Sequence, residues 1–415
     1  MARVVLVNPA VILNKWGSYG GANRQESSLN HGLLSIATFL NKNGHKCSIL
    51  DLRACSDMGD AIAKLMGMAP EVVGAGAMSV DFGMALEVLQ RAKEELPWHP
   101  VTIVGGVHAS ISPEEGDKPY VDYVIEGEGE LILLDMLDTN FEKYKDKKIF
   151  RGERPNLNEL PFIDRSLVDY KELNTPYWKG RSPYVTMMAG RGCPFKCAFC
   201  QPVPKLVFGR TRQRDVSNII QEMRECKDKY NAAYFDFIDD TFTININWVH
   251  EFCEQYKASK IGVPFVTAIR ADIIVKNEQM IRELRRAGCD TVSVGFESGS
   301  NRILRLLNKG TTREMNLEAA YILRKHTFKI VANIMYGAPT ETPQEARETT
   351  SMVKAINPDV YSPAWFTPYP GCALYDTYGH LLFSKDYKDL HRYRTKPKIR
   401  GVDYEAISKE MYVEG

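Results

Sequence analysis

The 415-residue chain has no apolar run near the roughly 20 residues that a membrane-spanning helix needs. Its first residues, MARVVLVNPA, lack the basic start, long apolar core and small-residue cleavage site of a secretory signal. A cytoplasmic location with no membrane partner is therefore expected. Neither charge is in excess: 53 Lys and Arg face 52 Asp and Glu, a formal net charge of +1. That excludes a strong global field for nucleic acid or anionic lipid, and nucleic acid is not an expected partner. Cysteine is scarce as a total. Nine residues are neither the density nor the even count of a disulfide scaffold, and in a reducing compartment clustered cysteines more often bind metal. There is no internal repeat and no low-complexity tract.

What is present is ordinary for a globular protein, with 44% hydrophobic and 25% charged residues. At about 100–200 residues per domain the chain should hold two or three domains. Residues 1–140 alternate short apolar runs with helical patterns. Val4–Val7, Cys47–Leu50, Val72–Ala77, Val101–Val104 and Tyr123–Ile125 read as strands, with Leu33–Leu40 and Met84–Leu96 as helices. Such alternation implies a doubly wound, Rossmann-like parallel sheet. Ligands of these sheets lie beyond the carboxyl ends of the strands. Those ends carry Asn8, Asp51, Ser79, Gly105-Gly106-Val107-His108 and Glu126-Gly127-Glu128. Paired glycines let a backbone approach a ligand closely, or simply make a tight turn. No GxGxxG follows the first strand, which disfavours a dinucleotide.

Residues 141–180 turn polar and proline-bearing and read as a linker. Beyond them the cysteines are grouped. Three fall within eight residues, Cys193-Pro194-Phe195-Lys196-Cys197-Ala198-Phe199-Cys200, after the strand-like Tyr184–Met188. Three thiolates on one loop can each hold one iron of a [4Fe–4S] cluster and leave the fourth iron without a protein ligand, whereas most such clusters take four cysteines. A structural zinc site would want a fourth Cys or His in a second pair, and the other six cysteines form none. Five further strands follow: Ala232–Phe237, Phe265–Ala268, Thr291–Gly295, Ile330–Met335 and Val360–Phe366. Helical segments separate them, among them Asp215–Lys227, Ile273–Ala287 and Arg313–Arg324. Six strand–helix units over 181–375 suggest a partial (β/α)6 TIM-type barrel, whose active site lies at the carboxyl ends of its strands. Those ends carry Asp239-Asp240, Arg270, Glu297-Ser298 and Gly337. Each also has a structural reading: a helix cap, an Arg270–Glu297 ion pair, a turn.

The CxxxCxxC loop with Phe199, followed by IDDTFTIN, AIRAD, GFESGS, YGAPTET and PYPGCALY, resembles the radical S-adenosylmethionine superfamily. The ordered strings NPA, HGLLSIATFL, GHKCSILD, VVGAGAMSV, VTIVGGVHAS and VDYVIEGEGE resemble the cobalamin-binding domain that precedes many members. The resemblance implies a [4Fe–4S] cluster on Cys193, Cys197 and Cys200, S-adenosylmethionine and cobalamin. It places S-adenosylmethionine against Phe199, Asp239, Asp240, Arg270, Glu297, Ser298 and Gly337. It places cobalamin against Asn8, Ser79, Gly105, Gly106, His108, Glu126, Gly127 and Glu128. The DxHxxG motif that brings a lower axial histidine in other cobalamin proteins is missing; Asp389-Leu390-His391 lacks the glycine. The implied reaction forms a 5′-deoxyadenosyl radical and methylates an unactivated carbon of a small molecule, with flavodoxin or ferredoxin as electron donor. Radical cyclisation, rearrangement or oxidation is the second reading, and a cobalamin-binding sensor the third. Cys372 stands where such chains usually have threonine, either as a radical donor or as a small buried residue. The tail, 376–415, holds Lys385, Lys388, His391, Arg392, Arg394, Lys396, Lys398 and Arg400, and would suit an anionic substrate or a solvated face. No catalytic side chain is assigned from sequence.

Overall fold

A computed structural model describes residues 1–9, 29–169, 181–201, 207–390 and 397–411. The chain forms two compact units. The first is Met1–Tyr177 with Pro202–Gly209 and Asp386–Asp389; the second is the remainder.

The first unit is one sheet of six parallel strands: β1 Arg3–Asn8, β2 Lys46–Asp51, β3 Val72–Gly76, β4 Val101–Gly105, β5 Tyr123–Glu126 and β6 Ile149–Arg151. Their order is β2-β1-β3-β4-β5-β6. Alternate residues of β1 serve opposite faces. Val5 and Val7 pack with Ile62, Leu65 and Leu89, from helices Met58–Met68 and Phe82–Glu95. Val4 and Leu6 pack with Leu33, Leu40 and Leu133, from helices His31–Lys42 and Glu130–Asp138. Both faces are covered, as a parallel sheet requires. The order reverses between β1 and β3, where such sheets open a crevice for ligands. Five strands were expected here, with 141–180 as linker. The sixth strand, β6, lies inside that stretch and pairs in parallel with β5. It is a half-buried edge strand of three residues, too short to show an apolar period.

The second unit carries β7 Tyr184–Met187, the two-residue strands β8 Gly190–Arg191 and β9 Arg212–Gln213, then β10 Tyr234–Phe237, β11 Phe265–Ala268, β12 Cys289–Glu297, β13 Lys329–Tyr336 and β14 Val360–Trp365. Six of these form a second parallel sheet in sequential order, β7-β10-β11-β12-β13-β14, with β7 and β14 at open ends. This is the expected partial barrel. Helices clothe its outer face. Phe237 and Phe265 meet Phe252 of helix Ile246–Ser259 edge-on at 5.6 and 5.7 Å. Each such ring buried contributes about 2–3 kcal/mol. The long helix expected over 273–287 is two, Ala271–Lys276 and Glu278–Ala287, parted at Asn277. The antiparallel β8–β9 pair was not expected from sequence; two residues leave no period to read. Among the described residues no helix is long and apolar enough to cross a membrane.

Candidate active site

The three grouped cysteines follow β8 on one loop at the carboxyl end of the second sheet. Neighbouring segments clamp its backbone. Ala198 N–H donates to Leu307 O (2.8 Å), Leu374 N–H to Ala198 O (3.0 Å), and Asn308 Nδ2 to Lys196 O (2.7 Å). Cys193 and Cys197 are half-buried and Cys200 is exposed. Thr241 Oγ1 lies 3.1 Å from Cys193 Sγ, and Arg270 Nη1 donates to Cys197 Sγ at 3.4 Å. The Arg270 guanidinium sits 3.8 Å from the centroid of Phe195, a cation–π contact. The Cys197 thiol is held below its ordinary range, first by the hydrogen bond from Cys200, then by the charges of Lys309 and Arg270.

The other barrel residues fall into three groups. Asp239 and Asp240 brace the cysteine loop. Asp239 Oδ2 accepts from Ala189 N–H (3.0 Å) and Asp240 Oδ2 from Gly192 N–H (3.2 Å). Burial pushes the Asp239 carboxyl up to about 7, against the backbone N–H groups of Ala189 and Gly190 that would lower it. Arg270 and Glu297 do not pair with each other. Arg270 takes Asp272 at 2.9 Å, and Glu297 takes Lys309 at 2.8 Å. Lys309 Nζ also lies 5.6 Å from the centroid of Phe199. Burial alone would lower the Lys309 ammonium; Glu297 and Cys197 raise it instead. A third group faces elsewhere. Ser298 is buried against Thr349 Oγ1 (3.1 Å) of helix Pro343–Ile356. Gly337, at φ +75°, leaves a space that Trp365 and Tyr404 fill, and a Cβ there would lie 2.9 Å from Trp365. Its N–H and that of Ala338 donate to Glu341 Oε2, whose carboxyl burial pushes up to about 7. Cys372 is buried, and its Sγ accepts from Tyr375 N–H at 3.3 Å, a helix cap.

In the first unit the strand-end residues pair among themselves. Asn8 Nδ2 donates to Asp51 Oδ2 (2.8 Å), and Arg53 forks onto both oxygens of Asp51 at 2.9 and 2.7 Å. Ser79 Oγ meets His108 Nδ1 at 2.9 Å. His108 is fully buried between Phe82 (4.2 Å) and Tyr387 (4.8 Å), with Nε2 at 3.4 Å from Glu115. Burial lowers its pKa. The imidazole is enclosed by residues of its own unit, and its Nε2 takes no hydrogen bond among the described residues. Gly106, at φ +93°, brings β4's turn against β3: a Cβ would meet Ala77 N at 2.7 Å. Gly105 has ordinary contacts. Gly127 N–H donates to Ser110 Oγ (2.9 Å), Glu126 lies 3.8 Å from Arg151, and Glu128 is buried.

Two family models match this architecture. Residues 20–137 match the B12 binding domain, and residues 187–353 match the radical SAM superfamily. The chain belongs to the radical SAM superfamily. An uncharacterized methyltransferase of Pyrococcus horikoshii is 28% identical over 399 residues, 91% of this chain and 85% of the relative. The anaerobic magnesium-protoporphyrin IX monomethyl ester cyclase of Rubrivivax gelatinosus is 27% identical, and this chain spans 60% of its length. A solved structure of the radical S-adenosylmethionine methyltransferase TsrM from Kitasatospora setae, with cobalamin and a [4Fe–4S] cluster bound, aligns with a TM-score of 0.67. That alignment covers 90% of this chain and 74% of TsrM at 16% identity, a likeness of fold.

The radical SAM cluster can be tested against the residues present. Among the described residues no three His, Cys, Asp or Glu side chains converge to hold a single metal ion. Three thiols on one clamped loop, with N–H, O–H and ammonium groups beside the sulfurs, instead suit a polynuclear group that carries negative charge. Lys309 is a residue of this site that sequence reasoning missed. It follows a short helix in a Lys-Gly turn, and only the fold brings it to Glu297 and the cysteine loop.

Proposed function

We propose that this chain is a cobalamin-dependent radical SAM enzyme that methylates an unactivated carbon of a small molecule. One observation carries the reading: a B12-binding sheet and a barrel bearing the CxxxCxxC loop occur in one chain. Cys193, Cys197 and Cys200 would hold the cluster. When bound, the cluster supplies the electron that breaks the sulfur–carbon bond of S-adenosylmethionine, and cobalamin supplies the methyl group. The chain's own residues position and shield. Asp239 and Asp240 fix the loop backbone. Arg270 and Lys309 bring cationic charge to the sulfur side, and Phe199 offers a ring for the adenine. The cyclase relative supports a second reading, radical ring closure without methyl transfer. Product analysis under anaerobic conditions with S-adenosylmethionine and reductant separates the two. Methyl transfer yields S-adenosylhomocysteine, 5′-deoxyadenosine and a product heavier by one methyl. Formation of 5′-deoxyadenosine without S-adenosylhomocysteine would refute methylation.

A further inference from the structure

Parallel barrels ordinarily fill their interior with layers of bulky aliphatic side chains. The second sheet departs from this. Along β10, Phe235 and Phe237 alternate with Tyr234 and Asp236. Phe237 packs on Phe252 of the outer helix, so Asp236 points to the opposite, inner side. Strand register carries that side across the sheet: Asp236 pairs the buried Thr186 and Val266, Ala268 pairs Ser293, Ser293 pairs the buried Val331, and Asn333 pairs Gly295 and Ser362. Val266 and Val331 fill part of this side, and small or polar residues stand between them. Asp236, Ala268, Ser293, Asn333 and Ser362 all remain partly accessible in the middle of a sheet whose other face is covered by helices. The interior is therefore packed in part and left partly open at these five residues.

Its floor is closed. Tyr184 stacks on Tyr234 with centroids 6.0 Å apart, and Tyr234 Oη donates to Asp290 Oδ1 at 2.7 Å. Arg181 caps the Tyr234 ring at 4.4 Å. Just above the floor, Tyr184 Oη donates to Asp236 Oδ2. Among the described residues Asp236 Oδ1 takes no hydrogen bond, and no Lys, Arg or His pairs with this carboxylate. Asn333 Nδ2 donates to Ser293 Oγ (2.9 Å) and lies 3.4 Å from Val294 O. A carbonyl only accepts, so that contact fixes the amide nitrogen and leaves Asn333 Oδ1 as the free acceptor. The cations at the mouth are already engaged, Arg270 by Asp272 and Lys309 by Glu297. The lumen thus offers acceptor oxygens and one negative charge, and no unpaired cation among the described residues.

We infer that Asp236 selects the substrate, a small molecule that presents an ammonium or other N–H donor to the lumen, with Tyr184 as positioning residue. The inference rests on the proposed function in one respect, that the barrel is the reaction chamber. It runs against the anionic substrate suggested by the basic tail, of which 391–396 lie outside the described residues. A phosphate or carboxylate placed beside Asp236 would meet like charge.

The test is calorimetric titration of the full chain, purified anaerobically, with the matched probes benzylamine and benzoate. Benzylamine should bind the wild type more tightly than benzoate does. Asp236→Asn keeps the size and can still accept from Tyr184; it should weaken benzylamine about 10- to 100-fold, the worth of a charge-assisted bond. Tyr184→Phe should narrow the amine-over-carboxylate preference while thermal unfolding reports any structural loss separately. A merely structural Tyr184 would shift melting and leave the preference intact. Benzylamine that binds no tighter than benzoate, or binds Asp236→Asn as well as wild type, overturns the inference. Absence of 5′-deoxyadenosine from the wild-type chain with S-adenosylmethionine and reductant would remove the radical reading and leave the amine result standing.

Discussion

The two sheets of this chain are alike in class and opposite in what they do with their carboxyl ends. Both have six parallel strands clothed by helices. In the first, described polar groups at strand ends pair with one another: Asn8 with Asp51, Asp51 with Arg53, and Ser79 with His108. In the second, Thr241 and Arg270 reach the sulfurs of Cys193 and Cys197, and some inner positions stay accessible. A βα sheet sets where a ligand belongs. Whether its side chains reach that ligand or each other is decided by nonlocal pairing.

Breaking the second sheet's centre should have the largest effect. Replacing Cys193, Cys197 or Cys200 singly by Ala should abolish the bleachable brown chromophore and bound iron of anaerobically prepared protein, with little change in melting of the first unit. Iron content that survives the change would put the cluster elsewhere.

Equivalent cuts in the two units sharpen the contrast. Arg53→Leu and Lys309→Met each strand a buried carboxylate, Asp51 or Glu297, at a cost of about 3–5 kcal/mol in urea unfolding. Only Lys309→Met should also reduce iron retention. Equal iron loss in both variants would mean that Lys309 has no special tie to the thiols.

Next in size is a pH effect. Glu341 is buried, and its carboxyl rises to about 7. A group whose folded pKa is raised favours the fold fully below its unfolded value and loses that contribution as pH climbs through the folded one. Stability of the second unit should therefore fall between about pH 4.5 and 7, on the order of 2–3 kcal/mol, and Glu341→Gln should flatten the slope. An unchanged slope would assign it to other groups, such as Asp239.

The smallest effect tests the first sheet. Gly106→Ala places a Cβ against Ala77 N in a left-handed conformation. It should cost about 1–3 kcal/mol by thermal unfolding, with iron content untouched.

Sequence pattern located most of this. The strands at Val72, Val101, Phe265 and Val360 begin where periodicity puts them, because each is an apolar run bounded by turns. The cysteine loop was legible because its chemistry lies within eight residues. Partnerships were not legible. Glu297 finds Lys309 across twelve positions and Asp239 finds Ala189 across fifty, and nothing local marks either pair. Gly337 and His108 carry motif positions, yet the chain's own Trp365, Tyr404 and Tyr387 occupy their surroundings. Asp236 passed as an ordinary strand residue, since one carboxylate in YFDF gives no sign that the lumen is partly open.

The most direct measurement is the metal content of the wild-type chain, purified anaerobically with cobalamin supplied. The account predicts about four iron atoms and about one cobalt per chain, with iron lost and cobalt kept in the triple Cys193, Cys197, Cys200→Ala variant. Iron without cobalt, or cobalt lost together with iron, would contradict two separate cofactor sites built on two separate sheets.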